Sequence, residues 1–143
     1  MAAKGVRLMR SIIVSANDED TAPIVEFVEG ELALHDCPSR ALYQIEVAIE
    51  EILVNIVSYA GLSETDGVEV RCEVLENPLR VVLQFLDGGI PFDPLAKGDP
   101  DTSPAALMER EGGLGIFMVK KMMDDVSYAY EDGKNTLTIL KRL

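Results

Sequence analysis

Residues 39–61, SRALYQIEVAIEEILVNIVSYAG, carry the clearest periodicity in the chain and decide its fold class. Their apolar residues recur at steps of three and four, which is the spacing of one face of an α-helix. Gly61 follows the last periodic residue, where a helix commonly ends. The pattern predicts a long helix whose apolar face packs against a sheet. The apolar positions are Leu42, Ile45, Ile49, Ile52, Leu53, Ile56 and Ala60.

The segments on either side predict strands and two further helices. The apolar stretch at 8–16 is expected to form the first strand, and a helix that begins near Pro23 should follow it. The predicted class is α/β (α+β), a two-layer sandwich with a mixed, mostly antiparallel sheet and helices on one face. The other predicted elements are strands at 68–75, 79–86, 127–130 and 136–140, a helix after residue 115, and a turn at 131–134.

The overall composition favours one globular domain and excludes several classes of protein. A chain of 143 residues, 48% of them hydrophobic, is expected to be a single domain over residues 1–143. No apolar run reaches the roughly 20 residues that span a bilayer, and the N-terminus is a poor signal peptide, so we expect a cytoplasmic protein. A net charge of −12 disfavours direct binding to nucleic acid.

The two cysteines and the one histidine do not suggest a metal or redox site. Cys37 and Cys72 lack the CxxC spacing of zinc or thiol redox motifs, so we expect two buried or half-buried free thiols. His35 is expected to have a structural or surface role. Residues 95–112 are rich in polar residues, Gly and Pro, and predict a long loop with one short helical turn at 105–109.

Three groups of residues are candidates for chemistry. Glu51 and Asn55 lie four residues apart, and therefore one turn apart on the same face of the long helix. A carboxylate there is able to polarise a water or a hydroxyl, and an amide oxygen is a good ligand for Mg²⁺. An ordinary solvated helix face is the alternative interpretation, because Glu46 and Glu50 lie nearby.

The other two groups contain glycines. Asp87 ends an apolar strand and precedes two glycines, so a ligand is able to approach the backbone while the carboxylate accepts a hydrogen bond from a base amine. Residues 112–115, GGLG, open a helix, where free backbone N–H groups form an anion site. The alternatives are a plain turn for the first group and a flexible lid hinge for the second.

In this order, the three groups resemble the motifs of the GHKL (histidine-kinase-like) ATPase superfamily. Glu51 and Asn55 resemble the N box, DGGIPFDP at 87–94 resembles the G1 box, and residues 112–115 with the helix after them resemble the G2 box. DGGIPFDP followed by GGLGIFMVKKMMDDV is similar in particular to the small anti-sigma-factor serine kinases of the partner-switching subgroup. The resemblance covers nearly the whole chain and implies a Bergerat-type ATP-binding fold.

The resemblance also implies roles for single residues. Asp87 would bind the adenine amine and Gly89 would give the ring room. Asn55 would hold Mg²⁺ against the phosphates, and Glu51 would be the catalytic general base. The remaining cofactor-binding positions that it implies are Gly113 and Gly115 around the phosphates and Thr136 near the adenine.

The function implied by the resemblance is that of an ATP-dependent serine/threonine protein kinase that uses ATP and Mg²⁺ and also acts as an anti-sigma factor. Its substrate would be a STAS-domain anti-anti-sigma protein, its second partner a sigma factor, and its assembly a homodimer, without nucleic acid or membrane partners. Two alternatives stay open. One is a non-catalytic, ATP-organised module that binds a regulator, and the other is a stand-alone catalytic domain of the histidine-kinase type.

Overall fold

The computed structural model describes residues 9–16, 21–63, 66–96, 103 and 114–143. Within these ranges the chain forms five strands and three helices. Their bounds are β1 Arg10–Ser15, α1 Ala22–Leu32, α2 Ser39–Tyr59, β2 Gly67–Leu75, β3 Arg80–Asp87, α3 Gly115–Met122, β4 Asp125–Glu131 and β5 Lys134–Arg142.

The strands form one sheet in the order β1-β2-β3-β5-β4, and every neighbouring pair among them is antiparallel. The predicted two-layer α/β sandwich is therefore confirmed, but the sheet that these strands form is antiparallel throughout and not mixed. The reason lies in the strand order. β3 and β4 run in the same direction across the connection that contains α3, but β5 lies between them and pairs with both.

A single core fills the space between the sheet and the helices. Strand residues in register share one face, for example Val70 opposite Phe85 and Phe85 opposite Leu137, and all three are buried. The helices cover this face, with α1 against β1 and β2, α2 against β5, and α3 against β4 and α2. Six residues of the predicted apolar face belong to this core and are at most 8% exposed: Ile45, Ile49, Ile52, Leu53 and Ile56 of α2, and Ala60 directly after it.

The ends of two elements follow from local backbone chemistry. Gly61 has φ +65° directly after the last residues of α2, which is a conformation that glycine adopts without a steric penalty. Asp132 and Gly133 both have positive φ and join β4 to β5. Two consecutive residues of this kind match the right-handed twist of a two-residue hairpin. The predicted cap and the predicted turn are both confirmed.

The predictions about the two cysteines and about the helical turn have different outcomes. Cys72 is buried and Cys37 is half-buried, and both are free thiols, as expected. Burial raises the pKa of the Cys72 thiol to about 12. The helical turn expected at 105–109 lies outside the described residues. In the part of the chain that the structure describes, no helix has the length and apolar character needed to cross a membrane.

Candidate functional site

Asp87 is the last residue of β3, and its side chain is buried at the end of the sheet. The residue is 4% exposed. Its Oδ1 accepts two hydrogen bonds, one from the backbone N–H of Gly89 at 2.9 Å and one from Nδ2 of Asn135 at 3.0 Å. A buried carboxylate is costly unless donors compensate for its lost hydration. These two donors therefore hold Asp87 in place in a form that accepts hydrogen bonds.

Asn135 is the cross-strand partner of Asp87 on β5. Its Nδ2 also donates to the carbonyl oxygen of Ile90 at 2.8 Å. Its Oδ1 accepts from the backbone N–H of Phe92 at 3.0 Å and from the hydroxyl of Tyr128. The side chain of Asn135 thus connects the segment that follows β3 to β3 and β4 through hydrogen bonds.

The strand register separates Asn135 from Thr136. Successive side chains of a strand point to opposite faces of the sheet, and Asn135 lies on the buried face with Leu137 and Ile139. Thr136 therefore lies on the other face. The structure brings Asn135, and not Thr136, to the side of Asp87. Sequence reasoning missed Asn135, although its alternation with Leu137 and Ile139 places it on the core side.

A pocket opens beside this hydrogen-bonded group. Asn55 of α2, Asp87, Asn135 and Tyr128 contribute its polar atoms. The walls are otherwise apolar and come from Ile56, Ala60, Phe85, Phe92, Pro94 and Leu137. An apolar slot with a carboxylate in its lining fits the chemistry of adenine, which has a flat ring and an amine that donates hydrogen bonds.

The pocket is narrow in this conformation. Its volume of about 20 Å³ holds one water molecule and is too small for a purine ring. The lining side chains therefore have to move apart for a base to enter. Phe92 is one of them, and its ring stacks on Tyr59 at the end of α2 with 5.0 Å between the ring centroids. The lining residues are of types that suit a purine base, but the distance between the two walls of the pocket has to increase before a base fits.

Glu51 and Gly115 connect the first and third groups found in the sequence. Glu51 lies one turn before Asn55 on α2, and Gly115 is the first residue of α3. A Cβ atom at Gly115 would overlap with Oε2 of Glu51. Glycine therefore permits α3 to begin directly against this carboxylate. Gly113, which was expected to contact the phosphates, lies outside the described residues.

Gly89 has a packing role in addition to any role toward a ligand. A Cβ atom at this position would overlap with the carbonyl oxygen of Ala60 and lie 2.8 Å from the Cβ of Ala60. The same carbonyl oxygen accepts a hydrogen bond from the backbone N–H of Ile90 at 2.9 Å. The absence of a side chain at Gly89 thus lets the segment after β3 dock on the end of α2.

No protein cluster for a metal ion is present among the residues that the structure describes, since no three His, Cys, Asp or Glu side chains come together there. Magnesium keeps several water ligands and is commonly held by one or two protein oxygens together with substrate phosphates. The amide oxygen of Asn55, a pocket-lining side chain, is of the type that such a site requires.

The family comparison agrees with this geometry. A model of the histidine kinase-like ATPase domain matches residues 14–141. The chain therefore belongs to the family of histidine kinase-like ATPase domains, and the superfamily predicted from its motifs is confirmed. ATP is accordingly the ligand that this family implies for the pocket.

Within that family the chain is similar to serine-protein kinases named RsbW. It is 33% identical to one from Listeria monocytogenes over 114 residues, which are 73% of this chain and 72% of the relative. It is also 33% identical to one from Listeria innocua over 115 residues, with the same shares covered. A third, from Bacillus thuringiensis, is 27% identical over 97 residues, 65% of this chain and 59% of the relative.

A solved structure has the same fold. The crystal structure of the RsbU and RsbW domains of a protein from Mycobacterium tuberculosis matches 96% of this chain with a TM-score of 0.66 and 16% identity. The chain spans about a third of that longer protein, namely 33% of its length. This match supports the fold, and the sequence relatives support the predicted subgroup of anti-sigma-factor serine kinases.

Proposed function

We propose that this chain binds Mg·ATP and transfers the terminal phosphoryl group to a serine of a STAS-domain anti-anti-sigma protein. The observation that carries this proposal is the placement of Asp87, a buried carboxylate that lines an apolar slot together with Asn55. Similarity to serine-protein kinases over 73% of the chain supports serine as the acceptor.

Each candidate residue has a role in this function that is consistent with its position in the fold. Asp87 accepts a hydrogen bond from the adenine amine at the closed end of the slot, next to Gly89. Asn55 offers its amide oxygen to Mg²⁺, which neutralises phosphate charge when bound. Gly113 and Gly115, before and at the start of α3, let backbone N–H groups face the phosphates.

Glu51 is the general base in this account. The partner's serine hydroxyl attacks the terminal phosphorus, its oxygen forms the new P–O bond, and the bond to the leaving ADP oxygen breaks. Glu51 accepts the proton of the hydroxyl on its carboxylate and so raises the nucleophilicity of the oxygen. Glu51 is half-buried on α2, and its carboxylate lies beside Gly115, the first residue of α3.

The proposal includes the partners and setting expected from the resemblance. Residues 1–143 act as one ATP-binding domain in the cytoplasm and form a homodimer. The same protein sequesters a sigma factor when the STAS partner is phosphorylated and unable to compete for it. Its net charge of −12 supports a function without direct nucleic acid contacts.

The experiment is a phosphorylation assay with radiolabelled Mg·ATP and the purified STAS-domain proteins of the same organism. The proposal predicts acid-stable phosphoserine on the STAS protein. ATP binding without transfer to any partner would instead support a non-catalytic binding module. Acid-labile phosphohistidine would support a catalytic domain of the histidine-kinase type. Each of these two results would contradict the serine kinase.

A further inference from the structure

The amide of Asn135 uses its entire hydrogen-bonding capacity in one small network. Its two N–H groups donate to Asp87 and to the carbonyl of Ile90, at 3.0 and 2.8 Å. Its oxygen accepts from the backbone of Phe92 and from the hydroxyl of Tyr128. The residue is only 5% exposed, and its bond to Asp87 is buried, while the other three bonds are partly buried.

The orientation of this amide follows from the chemistry of its partners. A carboxylate and a backbone carbonyl only accept hydrogen bonds, so the nitrogen has to face Asp87 and Ile90. The backbone N–H of Phe92 only donates, so the oxygen has to face that side. Asn135 therefore presents a donor, and never an acceptor, to Asp87.

Tyr128 completes the network from the neighbouring strand. It lies on β4 opposite Leu137, on the same face as Asn135, and donates its hydroxyl hydrogen to the Asn135 oxygen. Burial raises the pKa of the Tyr128 hydroxyl, with the nearby carboxylates of Asp93 and Asp87 acting in the same direction, while a hydrogen bond from the Phe92 backbone lowers it. A tyrosine hydroxyl is protonated near neutral pH even at its ordinary pKa of about 10, and this is the form that donates.

The effect of the network on Asp87 concerns ligand choice. Both of its donors within the described residues bind Oδ1, which leaves Oδ2 as the acceptor for a ligand. A carboxylate that is held in one orientation accepts from a purine 6-amine and repels a 6-oxo group, whose oxygen is also an acceptor. A carboxylate that is free to rotate does not keep an oxygen directed at this position of the base, and therefore discriminates less.

We infer that Asn135, anchored by Tyr128, is a positioning residue that sets the preference of this pocket for a 6-aminopurine over a 6-oxopurine. The inference rests on the proposed function, since it concerns the base of the same nucleotide. Asn135 acts through Asp87, to which its amide donates a hydrogen bond.

The test measures the dissociation constants of Mg·ATP and Mg·ITP for the full chain by calorimetry. ITP carries a 6-oxo group in place of the 6-amine of ATP. Asn135→Leu keeps a similar side-chain volume and removes all four hydrogen bonds. We expect the preference for ATP over ITP to fall about tenfold, because a hydrogen bond to a charged group contributes roughly 1.5–3 kcal/mol.

Two further variants keep the test decisive. Tyr128→Phe retains the ring and loses one bond to Asn135, so the preference should fall by about two- to fivefold, as for a neutral hydrogen bond. Thr138→Val is the matched control, since it changes a residue of the same strand on the face of the sheet opposite to Asn135. We expect Thr138→Val to leave the ratio unchanged.

The outcomes separate this inference from the proposed function. If wild type binds ATP and a folded Asn135→Leu chain keeps the wild-type ratio, Asn135 is a structural residue only and the inference is wrong. If Asn135→Leu does not fold, the test passes to Tyr128→Phe. A Tyr128→Phe chain with the wild-type ratio of ATP to ITP affinity would then show that the inference is wrong. A loss of preference in Thr138→Val would also overturn it. Failure of wild type to bind ATP would contradict the proposed function itself and remove the basis of the inference.

Discussion

The two ends of the candidate site are built differently. The proposed base end consists of Asp87, Asn135 and Tyr128, and its two buried polar residues are at most 5% exposed and bonded to each other. The proposed phosphate end consists of Glu51, Asn55 and Gly115, which are all half-buried and belong to α2 and α3. One end is therefore part of the sheet, and the other lies between helices.

In the proposed function, this difference separates recognition of the base from transfer of the phosphoryl group. Buried polar groups have to be satisfied within the protein, so the hydrogen bond between Asp87 and Asn135 forms with the fold and contributes to it. The half-buried groups of the phosphate end are in contact with solvent, so we expect their geometry to depend more on the bound ligand. Substitutions at the base end should change stability and binding together, whereas the removal of Glu51 should change transfer alone.

Glu51→Ala gives the largest expected effect and tests the independence of the phosphate end. Removal of a general base should lower the rate of phosphoryl transfer by about 10²–10⁴-fold. The affinity for Mg·ATP and the free energy of unfolding should stay near their wild-type values. The rate is measured with the radiolabelled transfer assay, and binding by calorimetry.

Glu50→Ala is the matched control for this prediction, because Glu50 is the neighbouring carboxylate on α2 and is exposed. It should transfer phosphate at the wild-type rate. A Glu51→Ala chain that transfers phosphate as fast as the Glu50→Ala chain would show that Glu51 is not the base.

The paired glycines after Asp87 test the link between the base end and folding. Gly89→Ala forces a methyl group into the backbone of Ala60, and overpacking of this kind costs about 1–3 kcal/mol. At Gly88 the same methyl group meets nothing within 4 Å, and neither glycine has a positive φ. Urea unfolding should therefore show a lower free energy of unfolding for Gly89→Ala and almost no change for Gly88→Ala. Equal stability of the two variants would contradict the docking of this segment on α2.

The pH dependence of Tyr128 gives the smallest expected effect. Because its pKa is raised in the folded protein, the folded state keeps this proton at pH values where the unfolded chain has lost it. Its contribution is therefore intact below the ordinary tyrosine value of about 10 and is lost as the pH rises through the folded value. The free energy of unfolding should fall above pH 10, and less steeply in Tyr128→Phe. Identical slopes would contradict the burial of this hydroxyl at the base end.

The sequence predicted most of the fold because its signals are local. The periodicity of α2, its cap at Gly61 and the turn at 131–134 each depend on neighbouring residues, and the structure has them at the expected positions. The sheet was expected to be mixed, but local patterns do not reveal that β5 inserts between β3 and β4. Strand order depends on pairing between distant segments.

The candidate site was predictable in part for the same reason. Asp87 stood out because it ends an apolar strand and precedes glycines. Asn135 did not, because a polar residue on a buried strand face makes sense only beside its partner 48 residues away. The resemblance implied Thr136 as the residue near the adenine, and Thr136 directly follows Asn135 on β5. A shift of one residue in a strand exchanges the two faces of the sheet.

Calorimetric titration of Mg·ATP into wild type, Asp87→Asn and Asp93→Asn tests the central claim most directly. Asp93 is an exposed aspartate of the same segment and is the matched control. The account predicts that wild type and Asp93→Asn bind alike and that Asp87→Asn binds at least about tenfold more weakly, since it loses a hydrogen bond to a charged acceptor. Equal binding by all three proteins, or no binding by wild type, would contradict it.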